Sequence, residues 1–491
     1  MGMIRKIALA SAAVVAVGAA VVGVRTANFA PEAVNDGRSI KIATAPAVNI
    51  ATAAAHLGEA VRFRTVSNQN RADNQPEQWN NFQQWLVTTY PAVHRAMQRE
   101  IVAGGTLIYT WPGSDAAAQP IILMAHQDVV PVTPGTESDW KHPPFDGVIA
   151  DNAVWGRGTV DDKGSLIALF EALEGLAAKG FAPRRTVYLV SGHDEEVSGG
   201  GAAAAAKLFA ERKVRALFTL DEGSLIILDT PVVNGPAILI GVAEKGYATL
   251  RITANATGGH SSMPPKDTGV VNLARAVLAI HDKPFPIELR GPAADMIAVL
   301  GGEAGGLTKA AVANQWLFGA LLREQVAATP SGAAAFHTTI APTMLTGSPK
   351  ENVLPQSANA LINYRIAPWN RSADILRRAR EATHGIPVNL SWVKPPREPS
   401  KISSTRSQGW QLIAAAARPH APTAPISPYL VVGGTDGRNF EDVSDDVYRF
   451  MPMHLTIEGT AMLHGTNEHM SLANLKRMII FYATLVGTSA G

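Results

Sequence analysis

The sequence predicts an α/β fold: a mostly parallel sheet flanked by helices, with a smaller α+β domain inserted into it. Three observations carry the prediction. Short apolar runs stop abruptly at clusters of ionisable side chains. Ile121-Ile122-Leu123-Met124-Ala125 ends at His126-Gln127-Asp128, Val187-Tyr188-Leu189-Val190 at His193-Asp194-Glu195-Glu196, and Ala216-Leu217-Phe218-Thr219-Leu220 at Asp221-Glu222. Such runs, bounded by turn residues, read as buried parallel strands. Helical stretches at 165–176 and 202–212 alternate with them between 121 and 243, as βαβ units do. From about residue 244 the pattern changes, and Tyr247-Ala248-Thr249-Leu250-Arg251-Ile252-Thr253-Ala254 alternates as a half-exposed strand does.

Along the chain, Arg5-Lys6 precede an uncharged run, 7–24, rich in Ala and Val and closed by Arg25. A basic start followed by such a run is an export signal. Its length also suffices for a membrane span, so 1–30 reads as an uncleaved signal-anchor, with a signal peptide cleaved near Val17-Gly18-Ala19 as the alternative. Cations on the short N-terminal side place the body outside the cytoplasm. Residues 31–45 read as a tether, and helices are expected at 50–61 and 77–90. The principal domain is expected over 46–243 and 397–491, and the inserted domain over 244–396. Within the insertion, helices are expected at 267–280 and 372–383 and a strand at 357–366. The Gly-rich stretch 284–334, with its apolar 311–322, reads as an extra helical excursion or lid element. Pro395-Pro396-Arg397-Glu398-Pro399 marks the return.

At 491 residues the chain exceeds one ordinary core. With 43 Lys+Arg against 41 Asp+Glu and no basic run, nothing favours nucleic acid. The absence of cysteine excludes disulfides and thiolate metal sites, so any metal must sit on His, Asp and Glu. Ligands of open α/β sheets collect beyond the carboxyl ends of the strands. The imidazoles and carboxylates at three strand ends would therefore converge in one crevice, as a metal site of hydrolytic type. Taken alone, His126-x-Asp128 is a weak signal and Glu195-Glu196 reads as a solvated acidic turn. Together, one glutamate can ligate a metal while its neighbour handles a proton, because neighbours in an extended segment point opposite ways.

Further motifs follow in order: Trp140 with Pro143-Pro144-Phe145-x-Gly147, Gly156-Arg157-Gly158-x-x-Asp161-Asp162-Lys163-Gly164, Asp194-Glu195-Glu196, Asp221-Glu222-Gly223, Gly433-Gly434-Thr435-Asp436 and His464-Gly465-Thr466-Asn467-Glu468. This ordered set resembles the peptidase M20 family of co-catalytic zinc hydrolases, in its carboxypeptidase S-like branch. The resemblance spans nearly all the chain beyond the tether. It implies a di-zinc catalytic domain with an inserted lid or dimerisation domain. Asp161 would bridge two Zn2+, with Mn2+ or Co2+ as acceptable substitutes on such ligands. His126 and Asp221 would complete one site, Glu196 and His464 the other. Glu195 would be the general acid/base and Asp128 the support of His126, and the Asp161–Asp162 peptide is commonly cis in the family. His260, in Gly258-Gly259-His260-Ser261-Ser262, would stabilise the oxyanion, from the neighbouring subunit in dimeric members. Asn352, Arg365, Gly434 and Thr435 would bind the substrate's amide and carboxylate. The implied reaction is hydrolysis of an amide bond beside a free carboxylate, as a carboxypeptidase or dipeptidase. The alternative is an N-acyl-amino-acid hydrolase. A silent binding protein on the same fold and a metal-dependent esterase or deacetylase are the rivals. Gly437 reads as a minor departure from the family pattern, and His142, His193 and His469 as bystanders.

Overall fold

The computed structural model describes residues 2–31 and 34–491. Its principal sheet has ten strands. At its centre Ile121–Met124 lies between Val187–Ser191 and Phe218–Asp221, parallel to both, and Val447–Arg449 continues the parallel set. Antiparallel strands Thr106–Trp111 and Gln98–Val102 close one side. In this register Met124 pairs with Val190 and Leu123 with Leu220. The residues that follow these strands therefore emerge along one edge of the sheet. Side chains of the central strands are buried on both faces, which is why they read as continuous apolar runs rather than alternating ones.

Helices cover both faces. Lys163–Ala178 packs against Ile50–Arg62 and Leu472–Ala490 on one side, burying Leu166, Phe170, Leu57 and Phe481 in a single core. Gly201–Glu211 covers the other side through Ala202, Ala205 and Phe209. The helix Ile50–Arg62 starts where the Asn49 side chain accepts from the Thr52 amide, a side-chain cap of the usual kind.

The inserted unit is a four-stranded antiparallel sheet, with Gly246–Asn255 paired along its full length to Ser357–Ile366. Helices Gly269–His281 and Ser372–Ala382 lie on one face of it. The alternation in the sequence follows from that one-sided cover: Ala248, Leu250, Ile252 and Ala254 face the helices, and the residues between them face outward. The entry and return segments of this unit run side by side. Tyr247 and Arg397 exchange backbone hydrogen bonds of 2.8 and 2.9 Å, and Ser400 N–H donates to the Glu244 carbonyl at 3.1 Å.

Two expectations look different in three dimensions. The stretch at 284–334 is helical, with helices Pro292–Ala304, Gly306–Ala313, Gln315–Ala327 and Pro330–Phe336. These helices do not share the core of the inserted sheet. Ala293, Ile297, Val312 and Phe336 pack with Ala243 and Leu430, on strands Gly235–Glu244 and Ile426–Val431 of the principal sheet. The segment at 31–45, read as a tether, is strapped down over its described part. Trp410 Nε1 donates to the Asn35 carbonyl at 2.7 Å, Ala43 N–H donates to Thr488 Oγ1 at 2.9 Å, and Val34, Ile40 and Ala45 lean on the main core. Apolar side chains spaced through a polar-looking stretch gave it a reason to adhere.

Candidate metal centre

Two imidazoles and two carboxylates meet at the edge where the central strands end. His126 Nε2 lies 2.9 Å from one oxygen of Asp161. The other oxygen of Asp161 lies 3.0 Å from His464 Nε2, which is 3.2 Å from Glu196. Asp161 thus offers one oxygen to each histidine, the disposition of a bridging ligand. Ligand atoms of His126, Asp161 and Glu196 fall within 4.8 Å of one another. His126 Nδ1 is 2.9 Å from the Asp128 carbonyl oxygen, which only accepts, so Nδ1 carries the hydrogen. The lone pair on Nε2 then points at a carboxylate, an arrangement that requires a proton or a cation between them. A buried oxygen of Glu196 has no hydrogen-bond partner. Both features fit a hard or borderline divalent cation on nitrogen and oxygen ligands.

The electrostatics agree. Burial by itself would lower the pKa of His126, but hydrogen bonds to Asp128 and Asp161 hold it well above the ordinary range. His464 is pushed up to about 10 by its hydrogen bonds to Asp161 and Glu196. Glu195 is raised well above the usual carboxylate range, first by burial and then by the nearby charges of Asp436, Glu196 and Asp128. Burial likewise raises Glu196, Asp221, Glu222 and Asp436. So many acids in one buried crevice hold protons or cations rather than stand bare.

Local structure explains how each group is held. Glu195 and Glu196 do not lie in an extended segment, as the sequence suggested, but in the single 3-10 turn Glu195–Val197. Asp128 imposes that turn: its two carboxylate oxygens accept the Glu195 and Glu196 amides at 3.2 and 3.1 Å. Asp194 caps the following helix through the Gly200 and Gly201 amides. Successive residues of such a turn still diverge by about 120°, so the two glutamates keep separate directions. Asp128 therefore organises the glutamates with its carboxylate and His126 with its carbonyl; its carboxylate is 3.5 Å from Nδ1. The Asp161–Asp162 peptide is cis.

Asp221 ends the strand next to that of His126, yet its oxygens accept from the amides of Glu222 at 2.9 Å and Gly437 at 2.5 Å. It sits beside the compact group rather than within it. Gly437 has a close role there: a Cβ at this position would stand 2.9 Å from the Asp221 carboxylate. Among the described residues, no hydrogen bond or ion pair links His260, Asn352 or Arg365 to the metal-site side chains. Within strand Gly259–His260, His260 accepts the Ser262 amide on Nδ1 at 3.1 Å, which leaves Nε2–H directed outward. The Asn352 carbonyl accepts the Ser261 amide. Arg365 stacks on Tyr247, 4.8 Å from its ring centre. Thr435 gives both its amide and its hydroxyl to buried Glu244, at 3.2 and 2.7 Å, and the neighbouring Gly434 lies against the same carboxylate and Arg438. His193 bonds Thr106 at 2.8 Å and His469 stacks on Trp155 at 4.2 Å.

The sequence assigns no site role to Glu468 or Asp436, which lie in its motifs, to Arg397, which lies in the return linker, or to Arg438. Glu468 is buried and accepts from Arg157 at 2.8 Å and from the amides of Gly158, Val160 and Asp161 at 3.0, 2.8 and 3.1 Å. It ties the loop bearing Asp161 to the loop bearing His464. Its place in the His464–Glu468 motif was the available signal. Arg397, Arg438 and Asp436 line a polar cleft of about 360 Å³ together with Glu195 and Thr435; nothing in the sequence brings residue 397 to residue 195.

A parallel sheet whose strand ends gather two histidines and a cluster of carboxylates is the arrangement of a metallohydrolase. The model of Peptidase family M20/M25/M40 matches residues 122–488. A probable carboxypeptidase S-like protein of Dictyostelium discoideum is 33% identical over 439 residues, covering 88% of this chain and 84% of that one. An N-fatty-acyl-amino acid synthase/hydrolase of Danio rerio is 34% identical over 438 residues, covering 88% and 84%. An M20 family metallo-carboxypeptidase from Sulfolobus solfataricus shares the fold at 16% identity, with a TM-score of 0.65 over 89% of this chain and 98% of that one. The chain belongs to peptidase family M20/M25/M40. It is a metal-dependent hydrolase.

Proposed function

We propose that this enzyme hydrolyses the amide bond next to a free carboxylate, acting on small peptides as a carboxypeptidase or dipeptidase. The observation that supports this reading most is the position of Glu195. It is half-buried, feels the charges of His126 and Glu196, and also lines a cleft with Arg397 and Arg438. A carboxylate is drawn to such cations. The amide next to it then falls within reach of a group that holds and releases a proton.

In this reading His126, Asp161 and Asp221 would hold one Zn2+, and Asp161, Glu196 and His464 would hold the other, with Mn2+ or Co2+ as substitutes. When bound, the pair would supply Lewis acidity for the attack on the amide. Glu195 would take the proton of the attacking water and deliver it to the leaving nitrogen. Asp128 fixes the turn that aims Glu195. His260 presents Nε2–H as a donor for the oxyanion, from the same chain or from a partner in a homodimer. Asn352, Arg365 and Gly434 add contacts to the substrate once the inserted domain closes about the paired segments near 247 and 397; the Thr435 donors are already engaged by Glu244. The Danio rerio relative favours a second reading, hydrolysis of N-acyl amino acids, which shares the scissile bond and differs on the acyl side. The N-terminal helix serves as the membrane anchor, with the body on the extracytoplasmic side.

The test is amide hydrolysis by the purified chain with added zinc, manganese or cobalt. Dipeptides with a free C-terminus are compared with N-acetyl and long-chain N-acyl forms of the same amino acids. Glu195→Gln is expected to keep its metal and lose about 10²–10⁴-fold in turnover, whereas His464→Ala loses metal. Near-normal turnover by Glu195→Gln sinks the mechanism. Preference for the acylated substrates selects the second reading.

A further inference from the structure

The N-terminal helix Gly2–Ala27 contains one stretch long and apolar enough to cross a membrane, Leu9–Ala27. At 1.5 Å per residue these 19 residues reach about 28 Å, roughly the hydrocarbon thickness of a bilayer with nothing to spare. This helix does not stand clear of the body. Asn314 Nδ2 donates to Thr26 Oγ1 at 3.1 Å and to the Val22 carbonyl at 3.4 Å, and Arg25 donates to the Ala313 carbonyl at 3.5 Å. Between the two lies an apolar groove of about 810 Å³, lined by Val15, Gly18 and Val22 on one side and Ala310, Trp316 and Leu317 on the other. From Val15 to Ala27 the groove follows about 18 Å of the helix. That is most of the depth any bilayer around Leu9–Ala27 must fill.

The helices across the groove are built for the same surroundings. Leu307, Trp316, Leu317 and Leu321 are 90%, 59%, 50% and 49% exposed. No charge occurs from 310 to 322, while Lys309 precedes the stretch and Arg323 follows it. Apolar side chains flanked by cations that can reach headgroups, with a tryptophan among them, mark a helix lying in a membrane interface. We propose that Gly306–Ala313 and Gln315–Ala327 form a second membrane contact, inserted into the bilayer that the N-terminal helix crosses. The body is then held against the lipid surface by two elements rather than hung from one. The occupant is the bilayer because the groove is continuous with the span: lipid that surrounds Val15 and Val22 also meets Trp316 and Leu317. This inference rests on the anchor reading of the N-terminal helix and not on the choice of substrate.

The chain has no cysteine, so single cysteines report their own surroundings. Full-length Leu317→Cys, Ala19→Cys and Lys207→Cys, each carrying an environment-sensitive fluorophore, are reconstituted in vesicles with and without nitroxide-labelled lipid. Lys207 is exposed on the helix Gly201–Glu211 and serves as the aqueous reference. The expected result is a blue-shifted spectrum and loss of most of the fluorescence to the nitroxide at 19 and at 317, with neither at 207. Quenching at 19 but a water-like, unquenched probe at 317 overturns the second contact while leaving the anchor. A blue-shifted probe at 317 that lipid nitroxide fails to quench also overturns it and assigns the face to another protein surface. No quenching at 19 overturns the anchor reading and this inference together. Hydrolysis of a soluble dipeptide by the same variants reports the catalytic site independently.

Discussion

Asp161 is the residue on which the site turns, because its two oxygens face His126 at 2.9 Å and His464 at 3.0 Å. Without a metal, such short pairs need a proton between nitrogen and oxygen. His464 gives the sharper prediction, since its hydrogen bonds to Asp161 and Glu196 push it up to about 10. A raised histidine pKa stabilises the fold fully below the unfolded value of about 6.5, and the contribution is lost as pH rises through the folded value. The metal-free chain should therefore lose stability between about pH 6.5 and about 10, and His464→Gln should flatten that slope in thermal melts. Metal and proton compete for the same nitrogen, so metal uptake at neutral pH should release protons. Calorimetry in two buffers of different ionisation enthalpy reads this directly; identical apparent heats would mean that His464 is not a ligand.

At the scale of elements, the loop carrying Asp161 and the loop carrying His464 are distant in sequence and joined by one buried carboxylate. Glu468 accepts three backbone amides and pairs with buried Arg157 at 2.8 Å. Removing one partner of such a pair leaves an uncompensated charge, at a cost of about 3–5 kcal/mol. Glu468→Ala should unfold at correspondingly lower denaturant and bind metal more weakly, because the Asp161 amide loses its acceptor. A stability within about 0.5 kcal/mol of the parent, the range of neutral surface changes, would show that the network carries no such load. The elements themselves were largely legible. The strand Ser357–Ile366 falls where the alternation put it, and the helix expected at 50–61 is Ile50–Arg62. Periodicity reports a face that is buried, and both elements bury one face. It did not report the 3-10 turn at Glu195–Val197, because that turn is imposed by Asp128 from a distant part of the chain.

At the scale of the molecule, the acids gathered at the sheet edge make the fold and the metal interdependent. A ligand bound only by the native state stabilises it by RT ln(1 + [L]/Kd), about 2.7 kcal/mol at a hundredfold excess over Kd. Chelation should abolish turnover and lower Tm, and added zinc, manganese or cobalt should restore both. A Tm unmoved by chelation would mean that the crowded carboxylates manage without a cation. The inserted sheet meets the principal domain through the paired segments near Tyr247 and Arg397 and through the helices 292–336, which leave it after His281 and return to it at Thr339.

The sequence by itself determined the α/β class, the order of the strands' ionisable ends and the family, because each is written in local pattern: runs of apolar residues, alternation, and side chains with metal-binding chemistry at the stops. It could not show that Thr435 spends its donors on Glu244, that Arg397 and Arg438 share a cleft with Glu195, or that helices Pro292–Ala304 to Pro330–Phe336 pack on the principal sheet instead of the inserted one. Those were decided by tertiary structure. Which polar group satisfies which, and which apolar face finds which, depends on residues brought together from distant parts of the chain, and no local period encodes that choice.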